Sequence, residues 1–281
     1  MTSIVFGLAA ALAFAVGTLA SARASRTLGP LFSVAWASTF GLIMVLPLVI
    51  ASGVPQNLST GQIALLLFGA VANLFGFLTV FAAFAVGKVG LVAPIVATEG
   101  AVAAVLATVT GSSLEPIIGI LLCIVVIGII VATRSHDPRP FPNERSVRAA
   151  VLASMGAVFF GINLFVVGML SDEMPLPWLL LPGRVIALVG LLIPLAVIGR
   201  LRLTRSAAPV LVLMGICDLL GVTFYAIGAG ANLAVTAVVS SQMAPIAALL
   251  ALIVFRERLG RGQVVGMAII VAALSVLSVV Q

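Results

Sequence analysis

Between Arg26 and Lys88 the chain reads TLGPLFSVAWASTFGLIMVLPLVIASGVPQNLSTGQIALLLFGAVANLFGFLTVFAAFAVG, residues 27–87, without one charged side chain. About 20 apolar residues already span the hydrocarbon core of a bilayer, so a run this long must be cut by turns. Ser52, Gly53, Pro55 and Asn57 supply the cut, because Gly, Pro and Asn punctuate regular structure. What remains on either side is two segments of membrane length.

The same reading extends outward along the chain. Hydrophobic residues make up 63% of the sequence and charged residues 8%, whereas a soluble globular chain carries about a quarter charged residues. Cutting at turns and charge clusters predicts ten transmembrane helices, near 2–21, 31–51, 62–85, 89–109, 116–133, 149–170, 177–198, 207–228, 234–254 and 262–280. Segments such as 117–131 and 267–280 are apolar all round, as lipid-embedded helices are. A membrane β-barrel would alternate with period two instead. The first segment has no basic residue before its apolar run, and Arg23 and Arg26 follow it, so it reads as a retained helix and not as a cleaved signal peptide.

Orientation follows from the Lys and Arg residues. The connections after helices one, three, five, seven and nine hold Arg23 and Arg26; Lys88; Arg134, Arg139, Arg145 and Arg148; Arg200, Arg202 and Arg205; and Arg256, Arg258 and Arg261. The even connections and both termini hold none, although the loop after helix six carries Asp172 and Glu173. The positive-inside rule places the odd loops in the cytoplasm and both termini outside. The net charge of +6 is then a topology signal and no nucleic-acid patch.

The second half repeats the first at an offset of about 145 residues. Leu67-Phe68-Gly69 falls on Leu213-Met214-Gly215, Asn73 on Asp218, Gly76 on Gly221, and Gly17 on Gly161. Residues 1–133 form one five-helix repeat and 149–281 the other, joined by a cytoplasmic linker, 134–148, with Pro138, Pro140 and Pro142. An odd number of helices per copy forces opposite orientations in the membrane. Inverted repeats of this kind are typical of transporters, whose halves rock about a shared midplane site. The alternative is an old duplication with no transport role.

Ser240-Ser241-Gln242-Met243-Ala244-Pro245 in helix nine, and Phe255-Arg256-Glu257-Arg258-Leu259 before a helix start at Gln263, resemble the EamA-type branch of the drug/metabolite transporter superfamily. The first half departs from that pattern, with Thr110-Gly111-Ser112-Ser113 where the second half has its arginines. Within the superfamily the chain is similar to bacterial amino-acid exporters of the YddG type. The resemblance implies efflux of aromatic and other amino acids by alternating access. It also implies a cavity between the halves, lined mainly by helices one, three, four, six, eight and nine.

Three charges fall inside predicted spans, Glu99, Arg184 and Asp218, and each is costly in lipid unless it meets a partner or a wet cavity. Asp218 has Tyr225 two turns along its face, with Gly221 and Gly228 thinning that face, and Asn73 as its positional equivalent. Ser240, Ser241 and Gln242 cluster ahead of Pro245, and Asn163 is an isolated amide in helix six. An amino acid needs an acceptor for its ammonium, which Glu99 or Asp218 could supply, and donors for its carboxylate, which Arg184, Asn73 or helix-nine hydroxyls could supply. Tyr225 would offer a stacking face. Either acid could instead exchange protons and couple export to the proton gradient. Each candidate also has a structural reading. Arg184 could snorkel to the outer interface or pair with an acid, the small polar residues could join helices, and Trp36 and Trp178 read as interfacial anchors.

Other classes lack their parts. His136 is the single histidine, there is no HExxH or paired membrane aspartate, and Cys123 and Cys217 stand alone in apolar segments. No phosphate-binding Gly-Lys loop appears. The expectation is a transporter and no enzyme, without cofactor or metal, monomeric and embedded in the lipid bilayer. Within transport the rival is a multidrug or cationic-compound exporter, against which the 6% aromatic content argues.

Overall fold

The computed structural model describes every residue except 56–57, 110–115, 135–143, 172, 202, 204–206, 241, 258 and 281. Asn57, the 110–115 segment, most of the 134–148 linker with His136 and Arg139, and also Asp172, Arg202, Arg205, Ser241 and Arg258 thus lie outside the described residues. Among the described residues all regular structure is helical.

The elements are α1 (Thr2–Leu28), α2 (Pro30–Ser52), α3 (Thr60–Val86), α4 (Val89–Val96), α5 (Glu99–Val109), α6 (Pro116–Arg134) and α7 (Ser146–Leu170). There follow α8 (Leu176–Ala187), a π-helical turn (Leu188–Leu192), α9 (Ile193–Val197), α10 (Ala208–Ala231), α11 (Leu233–Ser240), α12 (Met243–Val254) and α13 (Arg261–Val280). Among the described residues seven stretches are long and apolar enough to cross a membrane. Three shorter apolar segments, Gly119–Thr133, Met243–Val254 and Arg261–Val276, overlap the fifth, ninth and tenth predicted spans. The outer helix surfaces are apolar, with Val197 80% and Ile253 73% exposed. That is the surface of a protein solvated by lipid, and the chain is a multi-pass membrane protein.

Several boundaries differ from the expectation for identifiable reasons. Helix one runs about two turns past residue 21, so Arg23 and Arg26 sit on its final turns and not in a connection. Gly29 alone separates α1 from α2: its φ of 89° favours glycine, and Pro30 takes the first helical position, where its missing N–H costs little. At α3 the Ser59 side chain accepts from the Gln62 N–H while the Gln62 side chain accepts from the Ser59 N–H, a capping box visible in the sequence as Ser-x-x-Gln.

Predicted helices four, seven and nine are not continuous. Helix four breaks at Ala97 and Thr98, three residues after Pro94, where the Thr98 hydroxyl donates to the Ile95 carbonyl at 2.7 Å in competition with the backbone ladder. Helix nine breaks around Gln242, and Pro245 then sits in the first turn of α12, where proline is tolerated. The π-turn in helix seven precedes Pro194, which lacks the N–H that a regular ladder would give to Gly190.

α1 packs along α10, α3 along α7, and α6 along α13; α2 meets α8, and α4 meets α12. Small residues such as Ala15, Ala22, Ala83, Ala153, Ala247 and Ala251 form much of the core, which lets the backbones come close. In the α6–α13 contact Gly128 and Gly266 face each other. A Cβ on Gly266 would lie 2.5 Å from the Gly128 carbonyl oxygen and 2.5 Å from the Ala132 nitrogen, backbone atoms that cannot rotate away. Gly266→Val should therefore cost about 3 kcal/mol, the upper end for overpacking, read as a lower midpoint in detergent thermal unfolding. Gly230→Ala, with open space around it, should leave the midpoint unchanged or slightly raised.

Candidate functional site

Glu99, Asn73, Asn163, Arg184 and Asp218 converge on one cavity of about 300 Å³. It is enclosed by α1, α3, the α4–α5 break, α7, α10 and the start of α12, the helices that the family resemblance implies. Ala37 of α2 and Arg184 of α8 add two further walls.

The α4–α5 break positions Glu99. As the first residue of α5, it stands where the helix restarts beside the cavity. Its carboxyl accepts no hydrogen bond from the described residues, and neither do the Asn73 and Asn163 amides make one. Three polar side chains therefore present unused hydrogen-bonding capacity to the same space. Room for one of them comes from Gly183, where a Cβ would lie 2.8 Å from the Asn73 amide nitrogen.

Arg184 neither snorkels outward nor stands free. Its guanidinium donates to the Asp218 carboxylate and makes an ion pair between α8 and α10. The Arg184 side chain is 10% exposed and that of Asp218 39%, so the carboxylate is the more exposed end of the pair. The guanidinium carbon lies 5.9 Å from the centroid of Phe77, within cation–π range. On its other side it rests against α2 at Gly41, where any Cβ would collide with it. Gly41 thus positions Arg184, a role that sequence reading missed. Gly41→Ala should cost about 2 kcal/mol through overpacking, visible as a lower unfolding midpoint; the flatter cost of an open site would instead mean that Arg184 moves aside freely.

The remaining sequence candidates fall elsewhere. Tyr225 is half-buried on α10 and does not line the cavity. The glycines near it serve packing: the Phe14 ring fills the space at Gly221, and Thr236 that at Gly228. Gln242 donates to the Ser275 hydroxyl on α13 at 3.1 Å, and Ser240 is buried at the end of α11; neither lines the cavity. Trp178 donates its indole N–H to the Gly53 carbonyl at 2.6 Å.

The aromatic lining was also missed. Phe14, Phe77, Phe81, Phe84 and Phe160 all face the cavity. The signal was present in α3, where Asn73, Phe77, Phe81 and Phe84 recur at helical spacing on one face. The 6% aromatic content of the whole chain conceals this concentration.

Fold and site define a polytopic helical membrane protein with a polar-and-aromatic cavity at its centre. Residues 1–134 of the 281 match the model of the EamA-like transporter family. The match thus covers just under half of the chain. No curated protein matches the chain. A solved structure described as "Crystal structure of protein" is similar over 99% of this chain and 96% of its own, with a TM-score of 0.57 and 16% sequence identity, a likeness of fold alone.

Proposed function

We propose that the chain is an exporter of amino acids, aromatic ones among them, that works by alternating access through ten helices in two inverted five-helix repeats. The observation that carries this reading is the cavity on which Glu99, Asn73 and Asn163 converge without hydrogen-bond partners among the described residues. Glu99 accepts the substrate ammonium, the two amides donate to its carboxylate, and the phenylalanines receive its side chain. A volume of about 300 Å³ is at the lower limit for sites that take drug-sized ligands, about 300–1,000 Å³, which favours a small metabolite.

The helix pairings support the repeat. Exchanging each predicted helix with its counterpart in the other half turns the α1–α10 contact into α7–α3, and α3–α8 into α10–α2, while α6–α13 and α2–α8 map onto themselves. Both predicted helices four and nine are broken, at positions about 145 residues apart. The basic odd-numbered loops would then face the cytoplasm of a bacterial-type inner membrane, and one chain would be a complete unit.

One observation favours a second reading, export of organic cations. Asp218 already neutralises Arg184, so the cavity's net charge is that of Glu99, and five phenylalanine rings surround it. Uptake into proteoliposomes separates the two. Saturable flux of labelled amino acids above that in empty liposomes is expected, and a pH gradient changes it if Glu99 exchanges protons. Absence of amino-acid flux together with methyl-viologen transport would replace the first reading by the second.

A further inference from the structure

α4 and α12 pack on each other, and each reaches from the cavity to the same end of the molecule. Val96 at the end of α4 and Met243 at the start of α12 line the cavity. At their far ends lies a network of buried and part-buried polar contacts. Arg26, on the last turn of α1, donates from Nε to the Phe84 carbonyl at 3.1 Å and from Nη2 to the Gly87 carbonyl at 2.8 Å. The same Nη2 reaches Glu257 Oε1 at 2.9 Å, and the guanidinium stands 4.9 Å over the Phe255 ring.

Glu257, 8% exposed, also accepts from the Val89 N–H at 3.3 Å and the Gly90 N–H at 3.4 Å, the first turn of α4. An acceptor charge there meets the positive end of the helix dipole. The residue before it, Arg256, has a φ of 51°, a left-handed conformation that strains a residue with a Cβ. That turn brings Glu257 back onto α4, and Leu259 then packs against Gly90. Arg26, α3 and α4 precede the linker while Phe255, Glu257 and Leu259 follow it, so every one of these contacts made by Glu257 ties the two halves together. At the opposite end the described polar contacts between the halves, Trp178 with Gly53 and Gln62 with Glu173, are exposed, and Leu58, Leu65 and Leu66 pack on a buried apolar cluster of Leu170, Met174 and Leu179.

We infer that Glu257 and Arg26 are the latch of a gate formed by α4 and α12, and that its release opens the cavity at the Arg26 end during the transport cycle. Strained, fully partnered contacts between two rigid elements suit a two-state switch, because they are lost together when one partner withdraws. Glu257 is the determining group, since it touches Arg26 and the start of α4 at once. The inference rests on the transporter reading for its purpose, but its test needs no substrate.

With Cys123 and Cys217 replaced by Ala and Thr18→Cys as a reporter on the cavity wall, the protein in oriented vesicles is treated with a membrane-impermeant thiol reagent from each side. Glu257→Gln should raise the labelling rate from the Arg26 side about tenfold, and the milder Arg26→Lys should raise it several-fold. Equal rates in the parent and both variants, or a rise of the same size from both sides, would overturn the latch. If Glu257→Gln does not fold, as judged by size-exclusion profile, Arg26→Lys alone decides by the same criterion. A protein that labels as expected yet carries no amino acid leaves the latch standing and removes the proposed substrate.

Discussion

Glu99→Gln should lower solute flux at subsaturating concentration about 10- to 100-fold and leave thermal stability within about 0.5 kcal/mol of the parent, the range for a substitution that breaks no structural feature. The carboxyl serves no described neighbour, so its amide isostere takes nothing from the fold. What it removes is charge. A hydrogen bond to a charged group contributes about 1.5–3 kcal/mol, and about 1.4 kcal/mol is a factor of ten. Both proposed substrate classes present a cation to Glu99, so the loss should appear with a labelled amino acid or with an organic cation, whichever is carried. Initial uptake rates in proteoliposomes measure it, and Glu99→Asp should recover part of the flux. Undiminished flux through Glu99→Gln would take this residue out of the binding site. Where the parent responds to a pH gradient, loss of that response in Glu99→Gln would identify Glu99 as the proton carrier; a retained response would move that role to Asp218.

Seven membrane spans were legible because bilayer thickness sets the length of an apolar run, and turn residues divided the run 27–87. Counting length is blind to a helix that stops and restarts inside the membrane. Pro94 and Pro245 marked those places, yet a proline at membrane depth can equally kink a continuous helix, and the side-chain bond from Thr98 to Ile95 that favours a break is a fact of three dimensions. The same limit explains the site. Glu99, Asn73, Asn163, Arg184 and Asp218 were legible as candidates because polar groups in lipid are costly. Which of them would pair was not, since Arg184 and Asp218 meet only when α8 packs beside α10. Tyr225 shares a helix face with Asp218, but two turns are about 11 Å, and the cavity does not follow that face so far. Gly41 carries no chemistry of its own, and its place beneath Arg184 could come only from the packed structure.

The two partners of the Arg184–Asp218 pair should not be equivalent when removed. Asp218→Ala leaves a guanidinium that is 10% exposed inside the wall, between Gly41 and Phe77, with no opposing charge. Breaking a buried pair in this way costs about 3–5 kcal/mol; the low end, about 3 kcal/mol, is expected because water in the cavity can reach the guanidinium tip. Arg184→Met removes the buried charge itself and leaves a carboxylate that is 39% exposed, so its cost should be about 1 kcal/mol, nearer that of a surface pair. The double variant Arg184→Met/Asp218→Met should regain most of the stability lost in Asp218→Ala, since an apolar pair of similar volume often replaces a buried ion pair without loss. Thermal unfolding in detergent tests this order, and equal losses from the two single variants would mean that the pair is solvated as a whole. Uptake by the stable double variant then assigns the pair its part in transport. Retained flux would make it a clamp that shapes the wall, leaving Glu99 and the amides to hold the solute. Lost flux in a protein of undiminished stability would place the solute between Arg184 and Asp218, with the pair opening to receive it.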